Sequence, residues 1–433
     1  MRGMRHANDG SVRVWCRGSI GPPDHHRSWL LHHHHHHHPH HHVYTASALP
    51  NLINPNEFNT DQSNPNRKPS HAAIHYRPLS GLARVVVNDV IFNFPERIWV
   101  VDNSGSMAKG DGHRIKTVGN NTKILDCTRW QELRDTVKFH SALAGELLAP
   151  TDFRLLNAPG SGAQQYVVCG TGGNSGEAEI MAAMATSPTR GTPLTRHINE
   201  IREIVAGKAD SLRAEGKQVV VVLATDGVPS NDSGYMNAQS KKDFQRALQT
   251  LQGLPIHLVV RLCTDEDEVG DYWNELDTQV ELPLDVLDDF VGEATEIYQF
   301  NPWLAYGLPL HRAREFGVKH KLFDLLDERP LLASEVYEFI LLLLGLSEDD
   351  LPDPAIDTKV RALQRTHARS PASVLANFYF PTYTSPQAFG SALDRFLRVL
   401  PRTYNPVAKT TTPWLDKRKV MAKMKGGGGC VIA

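Results

Sequence analysis

Residues 218–224 read QVVVVLA, an apolar run rich in β-branched side chains. Three similar runs are separated from it and from each other by helical patterns: RIWVV at 97–101, DFRLL at 152–156 and IHLVV at 256–260. Strands that alternate with helices form βαβ units and a mainly parallel sheet. An unbroken run such as VVVVL indicates a strand covered on both faces. The sequence therefore predicts an α/β fold with a doubly wound, mostly parallel sheet flanked by helices.

Two segments between the predicted strands have the spacing of amphipathic helices. Residues 130–148 place apolar side chains three and four positions apart, and so do residues 194–216. The second segment follows Pro193, a residue suited to the first turn of a helix. These helices are expected to cover the sheet.

The composition divides the chain into four parts. Residues 1–80 contain the tract HHHHHHHPHHH and clusters of Pro, Asn and Ser, which indicates a disordered arm. The α/β pattern covers 81–300, a small helical extension covers 301–400, and a flexible polybasic tail covers 401–433. The apolar run FILLLLGL at 339–346 is too short to span a bilayer and is expected to be a buried helix.

Charge and cysteine content exclude several classes of protein. The net charge is −2, and the central part of the chain has no basic stripe or RNA-binding aromatic signature, so nucleic-acid binding is not expected. The five cysteines form no CxxC pair and have no zinc-like spacing, which argues against a zinc module and a disulfide framework. We expect a reducing, cytoplasmic environment, and the N-terminus does not have the pattern of a secretory signal.

Small oxygen-bearing side chains follow two of the predicted strands. Asp102, Ser104 and Ser106 come after RIWVV, and Asp226 comes after VVVVLAT. Thr192 lies where a loop enters the second predicted helix. The carboxyl ends of parallel strands share one edge of a sheet, where ligands bind. Carboxylate and hydroxyl oxygens without sulfur or imidazole suit Mg²⁺ or Mn²⁺.

The segments DNSGS (102–106), GTPLT (191–195) and ATDG (224–227) resemble, in order, the three parts of the metal-ion-dependent adhesion site of von Willebrand factor type A domains. The resemblance covers roughly residues 95–300. It implies that the two serines and the threonine offer hydroxyl oxygens to the metal, and that both aspartates bind it directly or through water. It also implies that an acidic side chain of a protein partner fills the remaining position.

Simpler interpretations of the same residues stay open. The aspartates could end strands and turns, and the serines and Thr192 could cap helices. Thr195 is an alternative to Thr192, although it lies inside the predicted helix. The acidic run DEDE at 265–268 could bind a second metal, but a solvated loop is the expected interpretation.

The sequence does not favour an enzyme. Phosphotransferases with a nucleophilic aspartate place a second aspartate two residues later, where this chain has Ser104. There is no G-x-S-x-G motif around the serines. His113, His140 and His197 are interpreted as surface or packing residues. A metal-dependent hydrolase is kept as a lesser alternative.

The chain ends in Cys430, two aliphatic residues and alanine, which is a C-a-a-X prenylation box of the farnesyl type. Four glycines separate it from a polybasic segment made of Lys417, Arg418, Lys419, Lys423 and Lys425. One lipid chain binds membranes only marginally, so a basic segment that attracts anionic lipid supplies a second signal. The sequence therefore predicts a metal-dependent protein-binding module anchored to the cytoplasmic face of a membrane. The alternative is a soluble scaffold that binds through its helical extension.

Overall fold

The structure is a computed structural model, and it describes residues 79–88, 92–119, 121–160, 163–169, 176–282, 284–346, 351 and 386–426. The histidine-rich arm up to residue 78 and the prenylation box at 430–433 lie outside these described residues.

In chain order, the strands of the described residues are β1 Glu96–Val101, β2 Gly112–Val118, β3 Asn121–Cys127, β4 Thr151–Leu155, β5 Gln165–Val168, β6 Val219–Thr225, β7 Ile256–Leu262, β8 Leu284–Leu287, β9 Thr403–Asn405 and β10 Thr410–Thr412. Six of them form one sheet in the order β5-β4-β1-β6-β7-β8. All neighbours in this sheet are parallel except β4 and β5. The predicted mostly parallel sheet is therefore confirmed.

The α-helices of the described residues are α1 Ser80–Asn88, α2 Arg129–Glu146, α3 Gly176–Ala183, α4 Leu194–Ala206, α5 Ala209–Ala214, α6 Ala238–Gln249, α7 Asp267–Gln279, α8 Phe290–Phe300, α9 Leu308–Glu315, α10 Lys321–Glu328, α11 Ala333–Leu344, α12 Pro386–Val399 and α13 Lys417–Gly426. The predicted helix at 130–148 corresponds to α2. The one predicted at 194–216 is divided into α4 and α5, and Pro193 lies at the N-cap of α4 rather than in its first turn.

Helices cover both faces of the sheet. Alternate residues of a strand point to opposite faces, so Val219 and Val221 pack with side chains of α4, α6 and α7. Val220 and Val222 pack with side chains of α2 and α3 on the other face. All seven residues of β6 are buried. This double cover is the reason why the central strands read as unbroken apolar runs in the sequence.

A third apolar cluster contains most of the buried apolar residues after 300. Side chains of α8 to α13 pack there with α1 and with Phe139 and Leu143 of α2. The run at 339–346 belongs largely to α11, a helix with Phe339, Ile340 and Leu343 fully buried, which confirms that part of the prediction. The helical part of the chain thus shares side chains of α2 with the α/β part.

The prediction of a flexible tail from residue 401 is wrong for residues 401–426. β9 and β10 form an antiparallel hairpin, and α13 follows it. Trp414 and Val420 are buried in the third cluster. The Ala305 N–H donates to the Trp414 carbonyl oxygen at 2.9 Å, which fixes the end of the hairpin to the segment before α9. Tertiary packing orders a segment whose composition is polar.

Candidate functional site

Neighbouring strands β1 and β6 are each followed by one of the aspartates of the predicted metal site. Their register pairs Val101 with Ala224, close to the ends of both strands. The Asp102 N–H donates to the Ala224 carbonyl oxygen at 2.9 Å. Asp102 and Asp226 therefore leave the sheet at the same carboxyl edge, where parallel sheets bind ligands.

The segment after β1 folds back on itself and joins the two aspartates. The Ser104 N–H donates to Asp102 Oδ1 at 2.8 Å, and a short 3-10 helix then begins at Gly105. This turn places the Ser104 and Ser106 hydroxyl oxygens 3.0 Å apart. The Ser106 hydroxyl donates to Asp226 Oδ1 at 2.8 Å. Four of the five predicted site residues are thus linked in one hydrogen-bonded chain.

Thr192 reaches the same edge from the loop before α4. Its N–H donates to the Ser230 hydroxyl oxygen at 2.8 Å, and its carbonyl oxygen accepts from the Ser230 N–H at 2.9 Å. A methyl group added to Gly227 would lie 3.9 Å from the Thr192 hydroxyl oxygen. Thr192 is therefore fixed beside Gly227, the residue that follows Asp226.

The separations between these oxygens suit a small hard cation. Neighbouring ligands of an octahedral Mg²⁺, each about 2.0–2.1 Å from the ion, lie roughly 2.9 Å apart. The Ser104–Ser106 and Ser106–Asp226 oxygen distances of 3.0 and 2.8 Å are ordinary hydrogen-bond distances that also lie close to this value. The oxygens that hydrogen bond to one another here could therefore turn to a shared ion with little movement.

Asp102 is buried, and its charge is only partly compensated by hydrogen bonds. Its Oδ2 accepts from the Thr225 hydroxyl at 2.6 Å, in addition to the Ser104 N–H on Oδ1. Burial and the nearby charge of Asp226 raise the pKa of Asp102 to about 6, against these hydrogen bonds. A cation at this edge would offset the repulsion between the two carboxylates.

Arg129, at the start of α2, was missed by the sequence analysis. Its guanidinium lies 2.9 Å from Asp226 Oδ2, and it also forms ion pairs with Asp111 and Glu266 at 2.5 and 2.7 Å. The Arg129 side chain is only 1% exposed. Asp226 thus gives one oxygen to Ser106 and the other to Arg129. No spacing rule links an arginine to an aspartate 97 positions away.

Two asparagines, also missed by the sequence analysis, hold the loops of the site together. Asn103 Nδ2 donates to the Asn157 carbonyl oxygen at 2.9 Å, and Asn103 Oδ1 accepts from the Asn157 N–H at 2.8 Å. The Asn157 side chain donates in turn to the Gly191 carbonyl oxygen at 2.8 Å. These bonds tie the loop after β1 to the loop that carries Thr192.

The acidic run at 265–268 takes part in ion pairs and begins a helix. Glu266 is an ion-pair partner of Arg129 and of Lys109. Asp267 and Glu268 are exposed in the first turn of α7, where acidic side chains favour the positive end of the helix. The segment therefore forms ion pairs and the start of α7, in addition to the solvated loop expected from the sequence.

The three histidines interpreted as surface or packing residues have different environments. His140 is buried in α2, with its Nε2 2.9 Å from Glu315 Oε2. His197 is buried with its Nε2 3.0 Å from the Leu156 carbonyl oxygen. His113 lies on β2, near Glu132 and Asp289, and these three residues form a group that could hold a metal ion. The sequence analysis thus did not identify His113 as a possible metal ligand.

The basic residues near the C-terminus lie on α13. Lys417 forms an ion pair with Asp394, and Lys419 contacts the Tyr298 ring and the Pro302 carbonyl oxygen. Arg418 and Lys425 are exposed, and Lys423 is half-buried. Within the described residues, no helix is long and apolar enough to cross a membrane.

Compared with models of known protein families and with curated proteins, the chain matches none of them.

Proposed function

We propose that this protein binds other proteins through a divalent metal ion held at the carboxyl edge of its sheet. The observation that carries the proposal is the hydrogen-bonded chain that links Asp102, Ser104, Ser106 and Asp226. The Ser104 N–H donates to Asp102 Oδ1 at 2.8 Å, and the side-chain oxygens of Ser104, Ser106 and Asp226 follow one another at 3.0 and 2.8 Å. The order of the motifs in the sequence, which resembles a metal-ion-dependent adhesion site, gives independent support.

In this proposal the ion is Mg²⁺ or Mn²⁺. The hydroxyl groups of Ser104, Ser106 and Thr192 bind it, and the two aspartates balance its charge directly or through water. Mg²⁺ keeps some of its waters, so one position exchanges readily. An acidic side chain of a partner protein takes that position. Such a site binds its partner without chemical turnover.

The surface near the site supports a protein partner. Ser230, which holds Thr192, begins a loop in which Asn231 Oδ1 accepts from the N–H groups of Ser233 and Tyr235. Tyr235 and Met236 are 70% and 62% exposed on this loop. Aromatic and methionine side chains are enriched in the centres of protein interfaces. They would pack against apolar residues that flank the acidic side chain of the partner.

We also propose that prenylation of Cys430 and the basic residues of α13 anchor the protein to the cytoplasmic face of a membrane rich in anionic lipid. A four-glycine linker at 426–429 would let the cysteine enter a prenyltransferase and then the bilayer. This part depends on the sequence motif and on the charge of α13.

Two other functions are tested by the same variants. A soluble scaffold that binds through the helical extension, α9 to α12, would keep its partners after Asp102 and Asp226 are both replaced by alanine. A metal-dependent hydrolase would turn over a substrate and lose that activity in Asp102→Ala.

The direct test is selection from a displayed peptide library in which each peptide carries a central aspartate. We expect the full-length protein to select peptides in Mg²⁺ and to release them in EDTA. The same peptides with asparagine should not bind. Ser106→Ala should weaken selection, whereas Ser211→Ala, on α5 before β6, should not. Selection that ignores EDTA, or asparagine peptides that bind equally well, would contradict the proposal.

A further inference from the structure

A large acidic cavity lies along the edge strand β8 and beside both ends of β7. Its volume is about 1070 Å³, and 13 of its 26 lining residues are aspartate or glutamate. Two positively charged side chains, one arginine and one lysine, also line it: Arg314 and Lys319. A concave surface with this excess of negative charge raises the local concentration of cations.

His113 and Asp289 line this cavity, and Glu132 lies next to both of them. Each of the three residues offers one ligand atom, and these atoms all lie within 4.8 Å of one another. They come from β2, from α2 and from the N-cap of α8. The three side chains therefore come together through the tertiary fold and not because they are neighbours in one loop.

The spacing between His113 and Asp289 is that of metal ligands. His113 Nδ1 lies 3.7 Å from Asp289 Oδ2, which exceeds the hydrogen-bond range of about 2.7–3.2 Å. Two ligands of a tetrahedral Zn²⁺, each about 2.0–2.1 Å from the ion, lie roughly 3.4 Å apart. An ion between the two atoms would fit with a small adjustment of either side chain.

His113 Nδ1 is also a buried polar atom without a hydrogen-bond partner among the described residues. Burial of a polar atom without a partner costs free energy, which a bound ion would offset. The neighbouring carboxylates are already held in place. Glu132 Oε2 accepts from the His113 N–H at 2.9 Å, and Asp289 Oδ1 accepts from the Gly292 N–H at 2.7 Å. Glu132 Oε1 also forms an ion pair with the buried Arg261 guanidinium.

We propose that His113, Glu132 and Asp289 hold a transition-metal ion, best represented by Zn²⁺, with its open position facing the acidic cavity. One imidazole nitrogen and two carboxylates are ligands that Zn²⁺ accepts, and three protein ligands with one open position is the arrangement of reactive rather than structural zinc sites. This site is separate from the oxygen-only site of Asp102 and Asp226 and does not depend on the proposed function.

The test is Zn²⁺ binding by calorimetry in the presence of excess Mg²⁺. It uses the full-length protein with the tract histidines at 32–38 and 40–42 replaced by asparagine, so that the tract does not bind the ion. Three variants are compared in this background. His113→Ala removes the nitrogen ligand, and Asp289→Asn keeps a side-chain oxygen for the helix cap. Asp271→Asn is the matched control, an exposed cavity carboxylate outside the group.

We expect the parent protein to bind a single Zn²⁺ tightly. His113→Ala should weaken binding by more than about 100-fold, since even the loss of a group behind a ligand costs roughly 10- to 100-fold. Asp289→Asn should weaken it at least about 10-fold, and Asp271→Asn should leave it unchanged. The proposal is overturned if the parent binds no more tightly than His113→Ala. It is also overturned if Asp271→Asn matches Asp289→Asn, because the cavity would then attract Zn²⁺ only through its overall charge.

Discussion

At the residue scale, Arg129 changes how the candidate metal site should behave. Its guanidinium pairs with Asp226, Asp111 and Glu266, and it is almost completely buried. It therefore neutralises part of the negative charge that a metal ion would neutralise. Arg129 stabilises the site without an ion and weakens the attraction for one.

Replacing Arg129 with glutamine should lower the free energy of unfolding in EDTA by about 3–5 kcal/mol, because the buried Asp226 carboxylate loses its partner. The stabilisation by Mg²⁺ should then be larger than in the parent protein, since the ion is the remaining counter-charge. Chemical denaturation with and without Mg²⁺ measures both effects. Arg114→Gln, which breaks an exposed pair with Asp135, is the control and should cost less than about 1 kcal/mol. Equal behaviour of the two variants would be inconsistent with this role for Arg129.

His257 should make the fold sensitive to acid. Burial, with Lys319 and Arg97 nearby, lowers the pKa of His257 from its ordinary value of 6.5 to about 4. The unfolded chain therefore takes up a proton at a higher pH than the folded chain does. Stability should fall as the pH drops from 6.5 towards 4.

At pH 5 this one histidine should cost about 2 kcal/mol relative to pH 7.5. His257→Leu keeps a similar side-chain volume and removes the titrating group. Between pH 7.5 and pH 5 the variant should therefore lose about 2 kcal/mol less stability than the parent protein does. Denaturant titrations at both pH values measure the difference. If parent and variant lose the same free energy, His257 does not titrate in this way.

At the scale of elements, the connection between α9 and α10 joins the helical part to the central sheet. Gly317 adopts a positive φ of 92°, and a methyl group there would lie 2.6 Å from Val220 Cγ1 on β6. This contact requires glycine for its backbone conformation and also for its small size.

Gly317→Ala should therefore destabilise the protein through both effects, by about 1–2 kcal/mol for the backbone and about 1–3 kcal/mol for the contact. Gly253→Ala is the matched control, since Gly253 has a φ of 76° with open space around it. The difference between the two variants in denaturant titrations measures the packing of the connection against β6. Equal losses would mean that the helical part does not rest on the sheet as described.

The elements also divide into those that the sequence could predict and those that it could not. β1, β4, β6 and β7 are detected because burial on both faces makes long apolar runs. The edge strands β5 and β8 have four residues each. In the hairpin of β2 and β3, exposed residues largely alternate with half-buried ones. Neither pattern stands out from loop sequence.

The candidate sites divide in the same way. Asp102, Ser104 and Ser106 lie at alternate positions within five residues, so their shared orientation follows from local geometry. The ion pair of Arg129 with Asp226, and the convergence of His113, Glu132 and Asp289, depend on tertiary packing. Such long-range pairs leave no periodic signal in a single sequence.

At the scale of the whole molecule, the proposed membrane anchor should need both lipid and charge. Cys430→Ser should abolish flotation of the prenylated full-length protein with phosphatidylserine vesicles. Lys425→Gln should weaken it by up to about 1 kcal/mol. Lys417→Gln should have a smaller effect, because the Lys417 ammonium group pairs with Asp394.

Raising the salt concentration from about 0.1 M to 1 M shortens the screening length from about 10 to 3 Å, so it should release the protein. Vesicles of neutral lipid are the control. Flotation that is indifferent to salt and to Cys430→Ser would rule out this anchor.

The packing of the C-terminal residues requires that metal binding be measured on the full chain and not on a shortened one. Trp414, Leu415 and Val420 belong to the third apolar cluster, so a protein that ends at residue 400 would lose part of its core. The full-length chain is therefore required. Mg²⁺ is the suitable ion because it prefers oxygen ligands to the imidazoles of the histidine tract.

The central measurement is calorimetric titration of Mg²⁺ into the full-length protein, alongside Ser106→Ala and the double variant Asp102→Ala Asp226→Ala. Ser211→Ala is the control, and circular dichroism confirms that each variant is folded. We predict a single saturable site in the parent and in Ser211→Ala, which is weakened in Ser106→Ala and lost in the double variant. A parent protein that binds no Mg²⁺, or a folded double variant that binds it equally well, would contradict a metal-dependent binding site at this edge of the sheet.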